Sequence, residues 1–370
     1  MAGMAARGHG AARRWAVVVA LVVVLVATPL VLRALPAADA DVPAADLAAA
    51  VLGSADVGFS GYAVSAGGLA LPVGDQLPSL ADLFSDRTAM RVWWRGPEDH
   101  RVDVLSGAGE TGTHRDATGT WTWEYERATA ARGALTPFTL PAPPDVLPTS
   151  LARRLLSEAD DAELARIGAR RVAGRDALGL RLVPAEDAAG VERVDVWVEP
   201  DSGLALQVEV YGKGADRPAL DTRFLDLDLA VPAAAVTAFF PPVGSSVRQA
   251  REAEVVLEAG RRITPVPLPD ELAGLPRRQL EGAPPGIGLY GRGVTVLAVA
   301  PVPPGLARGL RTALDQSPDA VRDDAGARLA VGPVALMLVE PGHGPYVLTG
   351  TVTLDALAAA AGQLQQDPAP

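Results

Sequence analysis

Short runs of alternating apolar and polar residues, each closed by a turn, constrain this chain more than any other feature. Met90, Val92 and Trp94 alternate with Arg91, Trp93 and Arg95. Trp121, Trp123 and Tyr125 share one side of their run, as do Val194, Val196 and Val198, and Leu204, Leu206, Val208 and Val210. A period of two belongs to a strand, whose successive side chains point to opposite faces. The runs cover residues 59–66, 89–95, 100–105, 120–126, 178–184, 191–199, 204–211 and 222–229. Gly96-Pro97-Glu98 and Pro200-Asp201-Ser202-Gly203 are the clearest hairpin connections. The pattern predicts an antiparallel sheet with one apolar and one polar face.

The apolar face needs a cover, and the sequence offers few helices for it. Residues 44–52 are Ala-rich with Leu47 and Val51 at helical spacing, 78–84 read as a short helical turn, and 148–159 place Leu151, Leu155 and Leu156 on one face. Such a cover either packs the sheet closed or leaves an apolar cavity. Residues 241–285 are rich in proline and read as a linker, with a short helix at 246–259. Beyond it, strands are expected at 294–300, 334–340 and 346–352 and helices at 305–314 and 354–364, the last capped by Thr353 with Asp355 in its first turn.

The N-terminus carries a different signal. Arg7, Arg13 and Arg14 precede an apolar run of 18 residues, Trp15 to Leu32. That is near the lower end of the roughly 17–25 residues that span a bilayer. Basic residues before it and Asp39, Asp41 and Asp46 after it put the N-terminus inside and the body outside. The run reads as a retained single-pass anchor or as a signal peptide cut at Ala38-Asp39-Ala40.

Composition removes several functions. The net charge is −11, and the four arginines up to Arg33 have no acidic residue among them, so the remainder is more acidic still. Such a surface repels phosphate backbones, which argues against nucleic acid as a partner. There is no cysteine, so disulfides, thiolate metal sites and a Cys-anchored lipid are excluded.

The motifs of catalysis fare poorly. Gly286-Ile287-Gly288-Leu289-Tyr290-Gly291 matches G-x-G-x-x-G, but prolines precede it and a strand is expected after it, where a dinucleotide site needs a helix. His100 and His114 lie about one hairpin apart among acidic residues and, if they met across strands, would form a metal or acid–base pair. There is no G-x-S-x-G elbow, and the aspartate pairs Asp160-Asp161, Asp226/Asp228 and Asp323-Asp324 lack calcium-loop spacing. The reading is therefore a non-enzyme with no cofactor and no metal.

Ser54 to Tyr62, Met90 to Pro97, Gly119 to Trp123, Val196 to Leu204 and Phe239-Phe240-Pro241-Pro242-Val243-Gly244 together carry a family pattern. Over residues 44–247 the chain resembles the LolA/LolB-like superfamily, above all the N-terminal domain of RseB/MucB-type proteins. A second resemblance, at Gly344 to Gly350 and the helix after it, is to small extracytoplasmic domains of sporulation and anti-sigma-type bacterial proteins. The first resemblance implies an open antiparallel half-barrel with helices in its mouth and an apolar cavity for acyl chains. The expected fold is thus α+β: an N-terminal membrane helix, a half-barrel sheet around a few helices, then a small α+β domain. The expected division is 1–36 tail and membrane segment, 42–247 half-barrel, 248–285 linker and 286–364 small domain. The expected function is non-catalytic binding of a lipid or lipoprotein acyl chain at the membrane. The alternative is a regulatory sensor acting on a membrane-bound anti-sigma-like protein partner. Met90, Val92, Trp94, Trp121, Trp123, Tyr125, Val196 and Leu206 are the expected ligand-binding residues, with the aromatic rings offering contact area at little entropy cost. The same rings would equally serve to seal a packed core.

Overall fold

The computed structural model describes residues 14–23, 37–67, 87–107, 109–133, 142–249, 268–279, 286–340 and 344–366. Residues 14–23 form a helix, α1, in a unit that ends at Ala38; Asp39 onward is a second compact unit. Among the described residues no helix is long and apolar enough to cross a membrane. The rest of the apolar run, to Leu32, lies outside the described residues, as does the helical turn expected at 78–84.

The expected sheet is present and larger than the alternation alone predicts. Strands β1 (Phe59–Gly67), β2 (Arg87–Gly96), β3 (Asp99–Ser106), β4 (Gly109–Asp116), β5 (Gly119–Glu124) and β6 (Thr129–Gly133) pair antiparallel in sequence. On the other side of β1 run β11 (Leu220–Asp228), β10 (Ala205–Gly212), β9 (Val191–Val198), β8 (Arg175–Leu182) and β7 (Leu164–Val172). A short strand β12 (Ser246–Gln249) lies parallel against β6 and completes twelve strands. Ser246–Gln249 was expected to open a helix. It is extended because the Pro242–Ser245 turn delivers it to the free edge of β6, whose backbone groups need partners.

Among the described residues, two helices lie on the apolar face. Helix α2 (Ala44–Gly53) buries Leu47, Ala48 and Val51. Helix α3 (Pro148–Leu156) begins at a proline, suited to a first helical turn, and buries Ala152 and Leu156. It stops three residues short of the expected end, because Ser157 turns its hydroxyl back to Arg154 O and Glu158 is engaged elsewhere. The Pro200–Gly203 turn falls where expected: Gly203 has φ 71, and a Cβ there would stand 2.5 Å from Ala50 O of α2.

A second sheet follows. Its order is β15 (Gly288–Arg292), β16 (Thr295–Pro301), β20 (Tyr346–Gly350), β19 (Val334–Val339), β18 (Gly326–Val331) and β17 (Val321–Asp323). A one-turn helix α4 (Ala234–Thr237) precedes it, and α5 (Pro304–Gln316) and α6 (Leu354–Gln366) pack on it. Thr353 caps α6, its hydroxyl accepting from Ala356 N at 3.2 Å. Leu268, Leu272 and Leu275, from the stretch read as linker, are buried in this second core beside a hairpin of β13 (Glu271–Leu272) and β14 (Leu275–Pro276). The glycine motif at Gly286–Gly291 runs into strand β15 and then β16, so among the described residues a strand follows it where a dinucleotide site needs a helix. The two sheets are joined by backbone: Ala189 bridges Val352, Gly190 N donates to Thr351 O and Thr353 N to Ala188 O.

Candidate functional site

Strand register decides which candidate residues share a surface. Trp94 pairs with Phe59 and His100, Val92 with Gly61 and Val102, and Met90 with Ala63 and Val104. Paired residues lie on one face, so these form the inner face that α2 and α3 cover. Beyond β1 the same face continues through Phe224 and Leu227 to Val208, Val196 and Leu180. Met90, Val92, Trp94, Val196 and Leu206 are 0–3% exposed there.

Trp121, Trp123 and Tyr125 stand on the opposite face. Trp121 pairs with His114, which pairs with Arg101, which pairs with Trp93. That is a correction to a single ligand surface containing Trp94 and Trp121. The period of two fixes faces within a strand, and three ladders of register lie between these residues. On the outer face Trp121 and Trp123 pack around Phe239 at centroid distances of 5.7 and 5.8 Å. Tyr125 is 40% exposed and accepts from Arg101.

The two histidines divide in the same way. His100 lies on the inner face, stacked on Trp94 at 4.4 Å, its Nδ1 3.2 Å from Gly96 O. His114 lies on the outer face, with Nδ1 3.0 Å from Thr237 O and its ring on Phe239. They do not meet across the strands. Burial pushes both imidazoles below their ordinary range. Among the described residues no three metal-ligating side chains come together.

Trp94 is the centre of the inner face. Its indole N–H donates to Ala55 O at 2.9 Å, its ring stacks with Phe59 at 6.0 Å, and Phe59 meets Phe224 edge-on at 5.5 Å. Arg153 of α3 lies 5.6 Å over the Trp94 ring, and burial pushes that guanidinium down. Val146 and Leu147, from the 3-10 turn that leads into α3, close the same cluster, with Thr222 Oγ donating to Val146 O at 2.7 Å. Phe59, Phe224 and Leu147 were not singled out in the sequence. Phe59 was legible as the first residue of a strand; Leu147 has no periodic neighbour to mark it.

The described inner face is therefore filled by side chains of its own cover. A crevice of ≈ 10 Å³ sits at one end of α3, lined by Leu155, Glu158, Glu163, Leu182, Glu186, Arg292 and Val294. That is room for about one water.

No family model matches this sequence, and no curated protein matches it. Solved structures do. A chain of the Pseudomonas aeruginosa MucA/MucB complex is 16% identical over 86% of this chain and 97% of its own, with a TM-score of 0.49. MucB alone is 18% identical over 86% and 96%, at 0.47. A LolA superfamily protein of Nitrosomonas europaea is 13% identical over 54% and 98%, at 0.25. These neighbours are MucB and a LolA-superfamily protein.

Proposed function

We propose that this chain is an extracytoplasmic binding protein that takes the acyl part of a lipid or lipoprotein onto the inner face of its large sheet, without catalysis. One observation supports this above others: a continuous apolar face from Val102 to Leu180 is covered by short elements rather than by a second sheet. Apolar burial alone supplies the affinity, with no polar code. The N-terminal apolar run tethers the body outside the membrane or, if cut, releases it; a tether makes the protein a receiver rather than a shuttle.

A second reading is favoured by the way the two sheets are joined at the cover. A ligand that moves α3 also moves contacts with the second sheet, as in a sensor that passes its state to a membrane-bound anti-sigma-like partner.

The test uses the purified full chain and a fluorescent fatty acid. Saturable uptake near one equivalent is expected. A Val92→Met/Val196→Met pair, which takes up space on the inner face, lowers affinity at least tenfold, whereas Trp121→Ala on the outer face leaves it unchanged. A folded chain that takes up no fatty acid sinks the reading, and so does loss of uptake in Trp121→Ala alone.

A further inference from the structure

The β15–β16 hairpin of the second sheet reaches the cover of the first. Its two-residue tip is Gly293-Val294, with Gly293 at φ 52, a conformation that favours glycine. Val294 is 6% exposed and belongs to the core cluster of the first sheet, with Ala152, Leu156 and Leu182. Beside it Arg292 enters an acidic cradle. Its guanidinium holds Glu163 through two hydrogen bonds of 2.9 and 3.0 Å and lies 2.8 Å from Glu186 and 3.2 Å from Asp160. It also donates to Glu158 O at 2.9 Å, while Gly293 N donates to the Glu158 carboxylate at 2.6 Å. Arg278, from the segment after the small β13–β14 hairpin, pairs with the same carboxylate.

Glu158 stands two residues past the last residue of α3. The second sheet thus grips the C-terminal end of the helix that covers the apolar face. The N-terminal end is pinned within the first sheet, by Thr222 on Val146.

We propose that the Arg292 hairpin is a clasp on the α3 lid: while Arg292 sits in the cradle of Glu158, Asp160, Glu163 and Glu186 the lid stays shut, and withdrawal of the hairpin frees α3 to uncover the inner face. What the opened face then admits, an acyl chain, rests on the function proposed above; the clasp itself rests on these contacts. In this arrangement the second sheet gates access, and anything that pulls on it controls the binding face. The interaction is specific in form. The planar fork matched to a carboxylate is lost when guanidinium becomes amide, whereas the Gly293 N–H on Glu158 stays.

The chain has no cysteine, so one introduced thiol reports on one place. Ala152 is fully buried on the inward side of α3 and Ala130 fully buried on β6, away from the lid. In the full chain at neutral pH, Arg292→Gln is expected to speed thiol labelling of Ala152→Cys by at least tenfold and to leave Ala130→Cys unchanged. Thr149→Cys, also buried on α3, serves as a second lid reporter should Ala152→Cys not fold. Equal labelling of the lid thiols with and without Arg292 overturns the clasp. Equal acceleration of both regions overturns it too, since that is general loosening. Fatty-acid uptake measured on the same proteins separates the two ideas. Lid labelling accelerated without any uptake keeps the clasp and removes the acyl ligand; uptake with labelling indifferent to Arg292 does the reverse.

Discussion

At the scale of single residues, the clearest contrast is between two tryptophans that looked alike in the sequence. Trp94 is 3% exposed, hydrogen-bonded and stacked on two rings. Trp121 is half-buried on the other face and shares its aromatic neighbour with Trp123. Trp94→Ala is expected to cost about 3–5 kcal/mol, the range for a large aromatic removed from a packed core. Trp121→Ala should cost well under half as much, since part of its area is already in water. Urea unfolding of the two variants checks the order; equal losses would mean that the outer aromatic cluster is as much a core as the inner one. The alternation in the sequence identified Met90, Val92, Trp94, Val196 and Leu206 as sharing apolar sides of their strands, and all five are buried. It had no means of relating one strand's faces to those of a strand three neighbours away. Face membership passes through the register of each ladder, and a one-residue slip inverts it. Trp121, Trp123 and Tyr125 lie on the other face from Trp94 for that reason.

At the scale of elements, what was legible followed apolar periodicity and what was missed lacked it. Strands β4, β6 and β7 read GETGTHRD, TAARG and LARIGARRV. Their polar and arginine-rich sequences carry no alternation, so ladder pairing with their neighbours holds them extended. Helix α3 was foreseen as an amphipathic helix, but its partner was not, because Glu158 and Arg292 are 134 residues apart in the bond between Arg292 and Glu158 O. The energetics of the lid are open to measurement. Leu156 is 2% exposed, and Leu156→Ala should lower stability by about 2–5 kcal/mol. Thr222→Val should cost about 1 kcal/mol, because it removes one hydrogen bond and leaves Val146 O without its donor. Hydrogen exchange in Thr222→Val is expected to rise in the turn of residues 143–147 and in α3 first. Uniform exchange across β8–β10 instead would contradict a lid that opens as a separate element.

At the scale of the whole molecule, the acidic cradle links the joining of the two sheets to pH. The groups facing Arg292 are Glu158 and Asp160 after α3, Glu163 in the next turn, Glu186 before β9, and the neighbouring cation Arg278. Burial pushes Glu163 up, but the Arg292 fork and the N–H groups of Asp160 and Ala185 outweigh it and hold the carboxyl below its usual range. Glu158 is likewise held low, first by the Gly293 N–H and then by Arg278 and Arg292. A carboxylate held low in the folded state contributes stability that is fully present above its unfolded pKa. That stability is lost as the pH falls through the folded one. The contribution therefore stands at neutral pH and fades on acidification below about pH 4.5, the ordinary glutamate region. The net charge acts over the same range. Below the sequence pI of ≈ 4.9 the chain turns increasingly positive, and self-repulsion grows. A single stability curve would mix the two effects, whereas the difference between wild type and Arg292→Gln cancels the shared charge term. At pH 7 Arg292→Gln should be the less stable by about 2 kcal/mol, a charge-assisted hydrogen-bond set with one partner half in water. From pH 5 to pH 3 the gap should narrow, because Glu158 and Glu163, as they protonate, no longer distinguish guanidinium from amide. Urea midpoints of both proteins across that range provide the measurement. A gap that stays constant down to pH 3 would show that Arg292 acts through packing beside Val294 rather than through the carboxylates, and the second sheet would then grip the lid by shape instead of charge.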